Sequence, residues 1–313
     1  MKPKVIVLAG PTASGKTALS LALAERFPFE IVSADSMQVY RGLDVATAKP
    51  SVSERRGVPH HMIDVASPSS PFTVSDYVKG ALAAIRDIES RGHIPLIVGG
   101  TGFYIKALLE GADFEESERD RSVRAELEEF LAQNGEDALW KSLYEKDPAR
   151  AEAIHPHNVK RVMRALELIR ESGRKASDHS FYRAEPRFDS LYLVLSFSDR
   201  NVLRSRIDAR TDAMFRAGLC EEAERVFSLG LPSDATSLQA IGYKELREAG
   251  DPEKAAELIK LRTRQYAKKQ ITWFRAVKGA VFLDAAAPFE DLLSAASEKI
   301  SFFLSTARDM GCG

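Results

Sequence analysis

Val5-Ile6-Val7-Leu8-Ala9-Gly10-Pro11-Thr12-Ala13-Ser14-Gly15-Lys16-Thr17 is the stretch from which the architecture follows. Its first five residues are apolar and rich in β-branched side chains, which suits a short buried strand, and Gly10 ends it. Gly10 to Thr17 has the pattern G-x-x-x-x-G-K-[ST]. Glycines let the backbone wrap a phosphate and turn its N–H groups inward. A helix is predicted from Thr17 to Arg26, with Leu19, Leu23 and Phe27 on one side, and its N-terminus adds partial positive charge. Lys16 supplies a full charge, and the Thr17 hydroxyl is a candidate ligand for Mg²⁺. A plain glycine turn with an exposed lysine is the competing reading, but the strand before and the helix after are the context a phosphate loop requires. The pattern specifies a phosphate and not which one, because ATP, GTP and a diphosphate ester present similar charged groups.

Further along, Ile31-Val32-Ser33 reads as a second strand ending at Asp35-Ser36. Val74 to Arg91 reads as a helix. Pro95-Leu96-Ile97-Val98 reads as a third buried strand, closed by Gly99-Gly100. Strands alternating with helices predict an α/β fold, a P-loop NTPase-like core with a parallel sheet flanked by helices. Composition then shifts. Residues 112 to 129 hold eight acidic side chains, beginning with Asp113, Glu115, Glu116 and Glu118. Helical patterns without a strand run to about Ser172, and residues 173 to 187 read as a polar loop. Leu191-Tyr192-Leu193-Val194-Leu195 then resumes the sheet, and a short strand is expected at Ala280 to Leu283. The expected organisation is a catalytic core of residues 1–114 and 188–313, interrupted by an inserted helical domain at 115–187.

In open α/β sheets the chemistry collects at the carboxyl ends of the strands. Asp35 follows the second strand directly. It is placed to ligate Mg²⁺ through water or to take a proton from a nucleophile, or it serves only as a turn former. Thr101, in Gly99-Gly100-Thr101-Gly102, is a site residue or simply a helix N-cap.

The 313 residues are 44% hydrophobic and 28% charged, with a net charge of -1. That balance excludes a global attraction to polyanions, so a nucleic-acid site must come from local clustering. One cluster lies at residues 258 to 278, with seven lysines and arginines, no acids, and Tyr266, Trp273 and Phe274. Arg264, Lys268 and Arg275 fall near one helix face and could track phosphates, although charge runs are usually solvated faces. A second stripe is Lys160, Arg161 and Arg164, in the insertion. Cys220 and Cys312 stand far apart, which argues against a disulfide framework or a cysteine zinc site. His60-His61, before a possible strand, has no metal-ligand spacing. Val5 to Ala9 is too short for a signal peptide or membrane span, so a cytoplasmic location without membrane contact is expected.

Taken together, the motifs resemble the tRNA dimethylallyltransferase (tRNA isopentenyltransferase) family. The resemblance takes in Gly10 to Thr17, Asp35-Ser36-Met37-Gln38-Val39-Tyr40-Arg41-Gly42, Thr47-Ala48-Lys49-Pro50, Pro59-His60-His61-Met62-Ile63-Asp64 and Gly99-Gly100-Thr101-Gly102-Phe103-Tyr104. It continues through Arg161-Val162-Met163-Arg164-Ala165-Leu166-Glu167, Gln239-Ala240-Ile241-Gly242-Tyr243-Lys244-Glu245, Thr263-Arg264-Gln265-Tyr266-Ala267-Lys268-Lys269-Gln270 and Trp273-Phe274-Arg275. It implies transfer of a dimethylallyl group from dimethylallyl diphosphate to N6 of the adenosine at position 37 of tRNA, just 3′ of the anticodon. By the same matching, Gly10, Pro11, Thr12, Ala13, Ser14, Gly15, Lys16 and Thr17 hold the donor diphosphate, with Mg²⁺ on Thr17. Asp35 is the general base, Thr101 contacts the target base, and Arg210 in Arg206-Ile207-Asp208-Ala209-Arg210 helps bind diphosphate. The segments Asp35 to Gln38 (Asp35, Ser36, Met37, Gln38) and Lys160 to Arg164 (Lys160, Arg161, Val162, Met163, Arg164) contact tRNA, with Thr101 and Arg124. The insertion is expected to close over the tRNA. A monomer is expected. Some relatives carry a C-terminal zinc finger, to which the resemblance does not extend, so no metal beyond Mg²⁺ is implied.

Three rival readings differ in class. A small-molecule kinase shares the fold but usually has an acidic residue ending the third strand, where this chain has Gly99-Gly100. An adenylate isopentenyltransferase acts on free nucleotide and needs neither the insertion nor the basic helix. A non-catalytic RNA-binding protein has no use for an intact Lys16, Thr17 and Asp35.

Overall fold

The computed structural model describes residues 2–111, 121–178 and 185–306. The acidic positions Asp113, Glu115, Glu116 and Glu118, part of the expected 173–187 loop, and Cys312 lie outside the described residues. The chain divides into two compact units, residues 112–184 and the remainder.

The larger unit begins with β1 (Lys4–Ala9), α1 (Lys16–Ala24), β2 (Phe29–Ser33), β3 (His60–His61), α2 (Val74–Ser90), β4 (Ile94–Gly99) and α3 (Gly102–Leu109). The smaller unit contains α4 (Arg121–Lys146), α5 (Pro148–Glu152) and α6 (Val159–Ser172). The larger unit then resumes with β5 (Asp189–Ser196), α7 (Arg200–Arg216), α8 (Leu219–Ser228), α9 (Tyr243–Ala249), α10 (Pro252–Arg275), β6 (Val281–Asp284) and α11 (Phe289–Ser305).

The six strands form one parallel sheet in the order β3-β2-β4-β1-β5-β6. Sequence patterning predicts five of them to within a few residues. The possible strand after His60-His61 is instead those two residues, hydrogen-bonded beside Ile31 and Val32. Every residue from Val5 to Ala9 is buried, as expected of a parallel strand covered on both faces. Ile6, Leu8, Leu96, Leu193 and Leu195 share a core with α1 and α11. Neighbouring residues on the strands point the other way, where Tyr192 meets Phe274 of α10 and Tyr77 of α2 stacks on Tyr104 of α3 at 4.3 Å. Helix α2 starts with a full capping box in which Thr73 and Asp76 satisfy each other's backbone N–H groups.

In the smaller unit the long run α4 is broken at Gly135, where the backbone leaves helical geometry. Leu127, Leu139, Leu143, Val162, Met163 and Leu166 make its core.

The order of strands places the site. Chain direction across the sheet reverses at β1, with β4 and β2 on one side and β5 and β6 on the other. The loop after β1 therefore opens at the switch point, between the loops after β4 and β5.

Candidate active site

A cavity of about 670 Å³ lies at this switch point. Residues Thr12 to Thr17 form its floor, Asp35 to Gln38 and Ala46 to Ala48 one side, and α7 and α10 the other. The phosphate loop is shaped for an anion. Ala13 holds a left-handed conformation, with φ of 60°, which a residue with a β-carbon adopts only at a cost. The Ser14 hydroxyl is buried, lines the cavity and has no hydrogen-bond partner among the described residues. Lys16 Nζ donates to the carbonyls of Gly10 (2.9 Å) and Pro11 (2.8 Å). Burial and the nearby Arg210 bring its pKa down to about 7, against the opposing pull of Asp35.

Two arginines of α7 reinforce the charge. Arg210 donates from Nη2 to the carbonyl of Thr47 at 3.3 Å. Burial holds its pKa below the usual arginine range, with Asp35 acting in the opposite sense. Arg206, one turn earlier, stacks over Phe197 with Cζ 5.4 Å from the ring centroid. A β-carbon on Gly15 would lie 3.9 Å from its Nη1, so this guanidinium flanks the loop. Arg206 was not among the expected site residues. Its signal was its spacing of four from Arg210, which puts both on one helix face.

Asp35 is a turn former that also lines the cavity. Its Oδ1 accepts the N–H groups of Met37 (2.9 Å) and Gln38 (3.3 Å), which fixes the carboxylate in place. Oδ2 has no hydrogen-bond partner among the described residues. Thr101 occupies the N-cap position of α3, but its side chain makes no capping bond there. Its Oγ1 accepts from the Ser36 N–H at 3.0 Å, tying the end of β4 to the end of β2.

The loop carrying Ala46 to Ala48 is clamped from behind. Glu222 of α8, fully buried, accepts N–H groups from Asp44 (2.7 Å), Val45 (2.7 Å) and Ala46 (2.9 Å), and the hydroxyl of Tyr243 (2.8 Å). Lys49 donates to Asp44 (2.7 Å), Asp64 (2.6 Å) and the Tyr40 carbonyl (2.7 Å). Motifs far apart in sequence thus converge on the carbonyl that receives Arg210.

Helix α10 closes the other side. Gln270, buried, accepts from the Thr12 N–H at 2.8 Å and donates to the Gly100 carbonyl at 2.9 Å. A methyl group on Gly100 would sit 2.3 Å from the Gln270 amide nitrogen, and one on Gly102 would sit 2.1 Å from Nε1 of Trp273. The two glycines are the room that α10 needs. Tyr266 sits next to Asp35, and its phenol is pushed up to about 12 by burial and by that carboxylate, partly offset by hydrogen bonding to Thr101 and Gln270. Sequence reasoning placed Tyr266 in the basic, aromatic cluster offered for nucleic acid but assigned no site role to Gln270, since a glutamine on an amphipathic helix carries no pattern of its own. Gln270→Glu is expected to weaken donor binding at least about tenfold at neutral pH, because its second oxygen would face a carbonyl. Relative to the native chain, binding should recover at acid pH, where a buried carboxyl is protonated. Calorimetric titration at both pH values measures the difference.

The expected basic stripe on α10 is corrected in part. Arg264 is bound to Asp208 through Nη2, at 2.5 and 2.7 Å. Lys260 pairs with Asp212, and Arg262 with Glu245 and Glu248. Lys268, Lys269 and Arg275 remain exposed, while Phe274 is core. In the helical unit, Lys160 and Arg161 are exposed, Arg124 pairs with Glu128 and Glu167, and Arg164 with Glu167. Val162 and Met163 were expected to contact tRNA, but helical periodicity turns their side chains into the core of this unit, with 0% and 2% exposure, so those side chains are committed to packing.

A G-x-x-x-x-G-K-[ST] loop between β1 and α1, at the switch point of a parallel sheet, places the larger unit in the P-loop class of α/β proteins. A family model described as IPP transferase matches residues 38–277, and one described as isopentenyl transferase matches residues 3–70. The chain is 45% identical over 288 residues to the tRNA dimethylallyltransferase of Shouchella clausii, covering 91% of this chain and 92% of the relative. It is 44% identical over 299 residues to tRNA dimethylallyltransferase 2 of Geotalea daltonii, covering 93% and 90%. Among solved structures, the tRNA isopentenylpyrophosphate transferase of Bacillus halodurans superposes with a TM-score of 0.74 at 38% identity, over 99% of both chains. A eukaryotic dimethylallyltransferase acting on tRNA gives 0.80 at 33% identity, over 90% of this chain and 74% of the other. The chain belongs to the tRNA dimethylallyltransferase family, a family of prenyl-transferring enzymes.

Proposed function

We propose that this tRNA dimethylallyltransferase seats dimethylallyl diphosphate on the phosphate loop and transfers its prenyl group to N6 of adenosine 37, the nucleotide just 3′ of the tRNA anticodon. The observation that carries the reading is one cavity holding both halves of the chemistry. Lys16, Arg206, Arg210 and the orphan Ser14 hydroxyl face a leaving anion, and a carboxylate with one free oxygen, Asp35, faces a proton donor. The C1–O bond of the donor breaks, diphosphate leaves with the electron pair, the C1–N6 bond forms, and the N6 proton passes to Asp35. An amino group conjugated with the adenine ring is a poor nucleophile, so the rate depends on stabilising the departing charge and on orientation.

Mg²⁺ fits this cavity as a companion of the diphosphate. The exposed Thr17 hydroxyl and Asp35 Oδ2 are hard oxygen donors, and two of them suit an ion that keeps waters and phosphate oxygens as its other ligands. When bound, the ion would neutralise charge on the leaving diphosphate. Thr101 and Ser36 border the place of the target base, and Arg124, Lys160, Arg161 and Arg164 of the helical unit are the proposed tRNA contacts. Extruding a base costs a few kcal/mol, which such contacts offset. No described helix is long and apolar enough to cross a membrane. With tRNA as acceptor, the reading places the enzyme in the cytoplasm.

The test combines the protein with dimethylallyl diphosphate, Mg²⁺ and unmodified tRNA, followed by mass spectrometry of the nucleosides. AMP is the parallel acceptor and Asp35→Asn the control, since asparagine keeps the oxygen that holds the turn but removes the base. Prenylated adenosine in tRNA, absent with AMP and lost in the control, is the expected result. Product on AMP would assign the chain to free nucleotides, and no product on either would return the loop to an ATP function.

Donor binding has a pH signature. A bound diphosphate raises the pKa of Lys16 from its free value of about 7. Affinity is therefore full below about pH 7 and falls as pH rises above it, by up to about tenfold per unit. Calorimetry in two buffers of different ionisation enthalpy should show proton uptake on binding near neutral pH, and none in Lys16→Ala.

A further inference from the structure

Resting on that reading, the inference concerns what limits the donor. Helix α7 presents Arg206, Arg210 and Met214 to the cavity at intervals of four residues, which places them on one face and about 6 Å apart along the axis. The three differ in order. Arg206 flanks the phosphate loop, Arg210 lies one turn further along, and Met214 is 92% buried at the end that leaves the phosphates behind. There Met214 packs in one apolar cluster with Ala46 and Ala240, which also line the cavity, and with partly buried Ile241. The rest of the lining near α10 is polar, through Tyr266 and Gln270. The face of α7 is thus graded from cation to thioether over two turns, matching a ligand that is anionic at one end and hydrocarbon at the other.

We propose that Met214 closes the hydrocarbon end of the donor site and restricts the enzyme to a five-carbon prenyl diphosphate. From C1, the atom that leaves oxygen for N6, a dimethylallyl group extends only three C–C bonds, about 4 Å, which fits within the roughly 6 Å from Arg210 to Met214 along the helix. A second isoprene unit would have to occupy the volume of the Met214 side chain. Met214, Ala46 and Ala240 are all buried members of one apolar cluster, so the side chain is part of a packed wall. A pocket wall that excludes even one methylene discriminates by about 10-fold to 200-fold, so a whole isoprene unit should be refused by at least about 100-fold.

The experiment compares dimethylallyl and geranyl diphosphate as donors to tRNA, for the native chain, Met214→Ala and Met214→Phe, with binding of inorganic diphosphate measured in parallel. Met214→Ala should raise kcat/KM for geranyl relative to dimethylallyl diphosphate at least tenfold. Met214→Phe, which shortens the pocket, should raise KM for dimethylallyl diphosphate at least tenfold while inorganic diphosphate binds within twofold of native. Should the alanine variant not fold, the phenylalanine variant decides alone. An unchanged donor ratio in a folded Met214→Ala, or an unchanged KM in Met214→Phe, overturns the assignment. Failure of the underlying reading looks different, because the native chain would then make no dimethylallyl product at all, and the role of Met214 would fall with it.

Discussion

Lys16→Ala is expected to lower kcat/KM for dimethylallyl diphosphate by at least about 10³-fold, and Arg210→Ala by about 10²-fold. Each side chain is aimed at the anion that leaves, and a preorganised charge of this kind is worth ~3–4 kcal/mol in the barrier. Lys16 should cost more because it has two jobs. Its Nζ bridges the Gly10 and Pro11 carbonyls at 2.9 and 2.8 Å and so holds the loop that cradles the phosphates. Arg210 is held by the single carbonyl of Thr47 and shares the cavity with Arg206, which can take part of its load. Because both act on one ligand, the double variant should lose less than the product of the single losses. Single-turnover assays with saturating tRNA separate the chemical step from binding. tRNA affinity in the absence of donor should stay within about threefold of native, since neither residue is among the proposed tRNA contacts. A loss of less than tenfold for Lys16→Ala would mean that the diphosphate does not sit on this loop.

Glu222→Ala should be the most damaging single change outside the phosphate loop, lowering stability by about 3–5 kcal/mol. The carboxylate is fully buried and accepts three backbone N–H groups and one phenol. Truncation leaves all four donors without a partner, and each unsatisfied buried donor costs ~1–3 kcal/mol, reduced here where water can reach Asp44 and Val45. Glu222→Gln keeps one acceptor oxygen and should cost roughly half as much. A calorimetric scan should place the melting temperature of the alanine variant about 10 °C below native. Catalysis should suffer beyond stability, because the loop held by Glu222 carries the Thr47 carbonyl that orients Arg210. A loss of kcat in the folded glutamine variant at low temperature would show that second effect. An alanine variant as stable as native would mean that the loop is not held from α8.

Local chemistry made much of this protein legible before any contact was known. The strand at Val5 to Ala9 shows itself because parallel strands are buried on both faces and so read as unbroken apolar runs. The phosphate loop shows itself because backbone cradling and charge must be encoded in adjacent residues. Asp35 follows from its place after an apolar strand. The misreadings share a cause. Arg264 looked free to meet a phosphate because its partner Asp208 is 56 positions away in the chain. Val162 and Met163 sat within a motif, and only the packing of α6 on α4 shows that they face inward.

What a short segment can encode, namely element type, the anion cradle and the residues at the strand ends, was present in the order of amino acids, because those properties depend on neighbours in the chain. What needed the folded molecule was everything made by partners far apart in sequence. Gln270 reaches Thr12 across 258 positions, Glu222 reaches Asp44 across 178, and Arg210 reaches Thr47 across 163. No periodicity or spacing rule spans such distances. These bonds exist because the parallel sheet brings the ends of β1, β2 and β4 to one edge, where α7, α8 and α10 cover them.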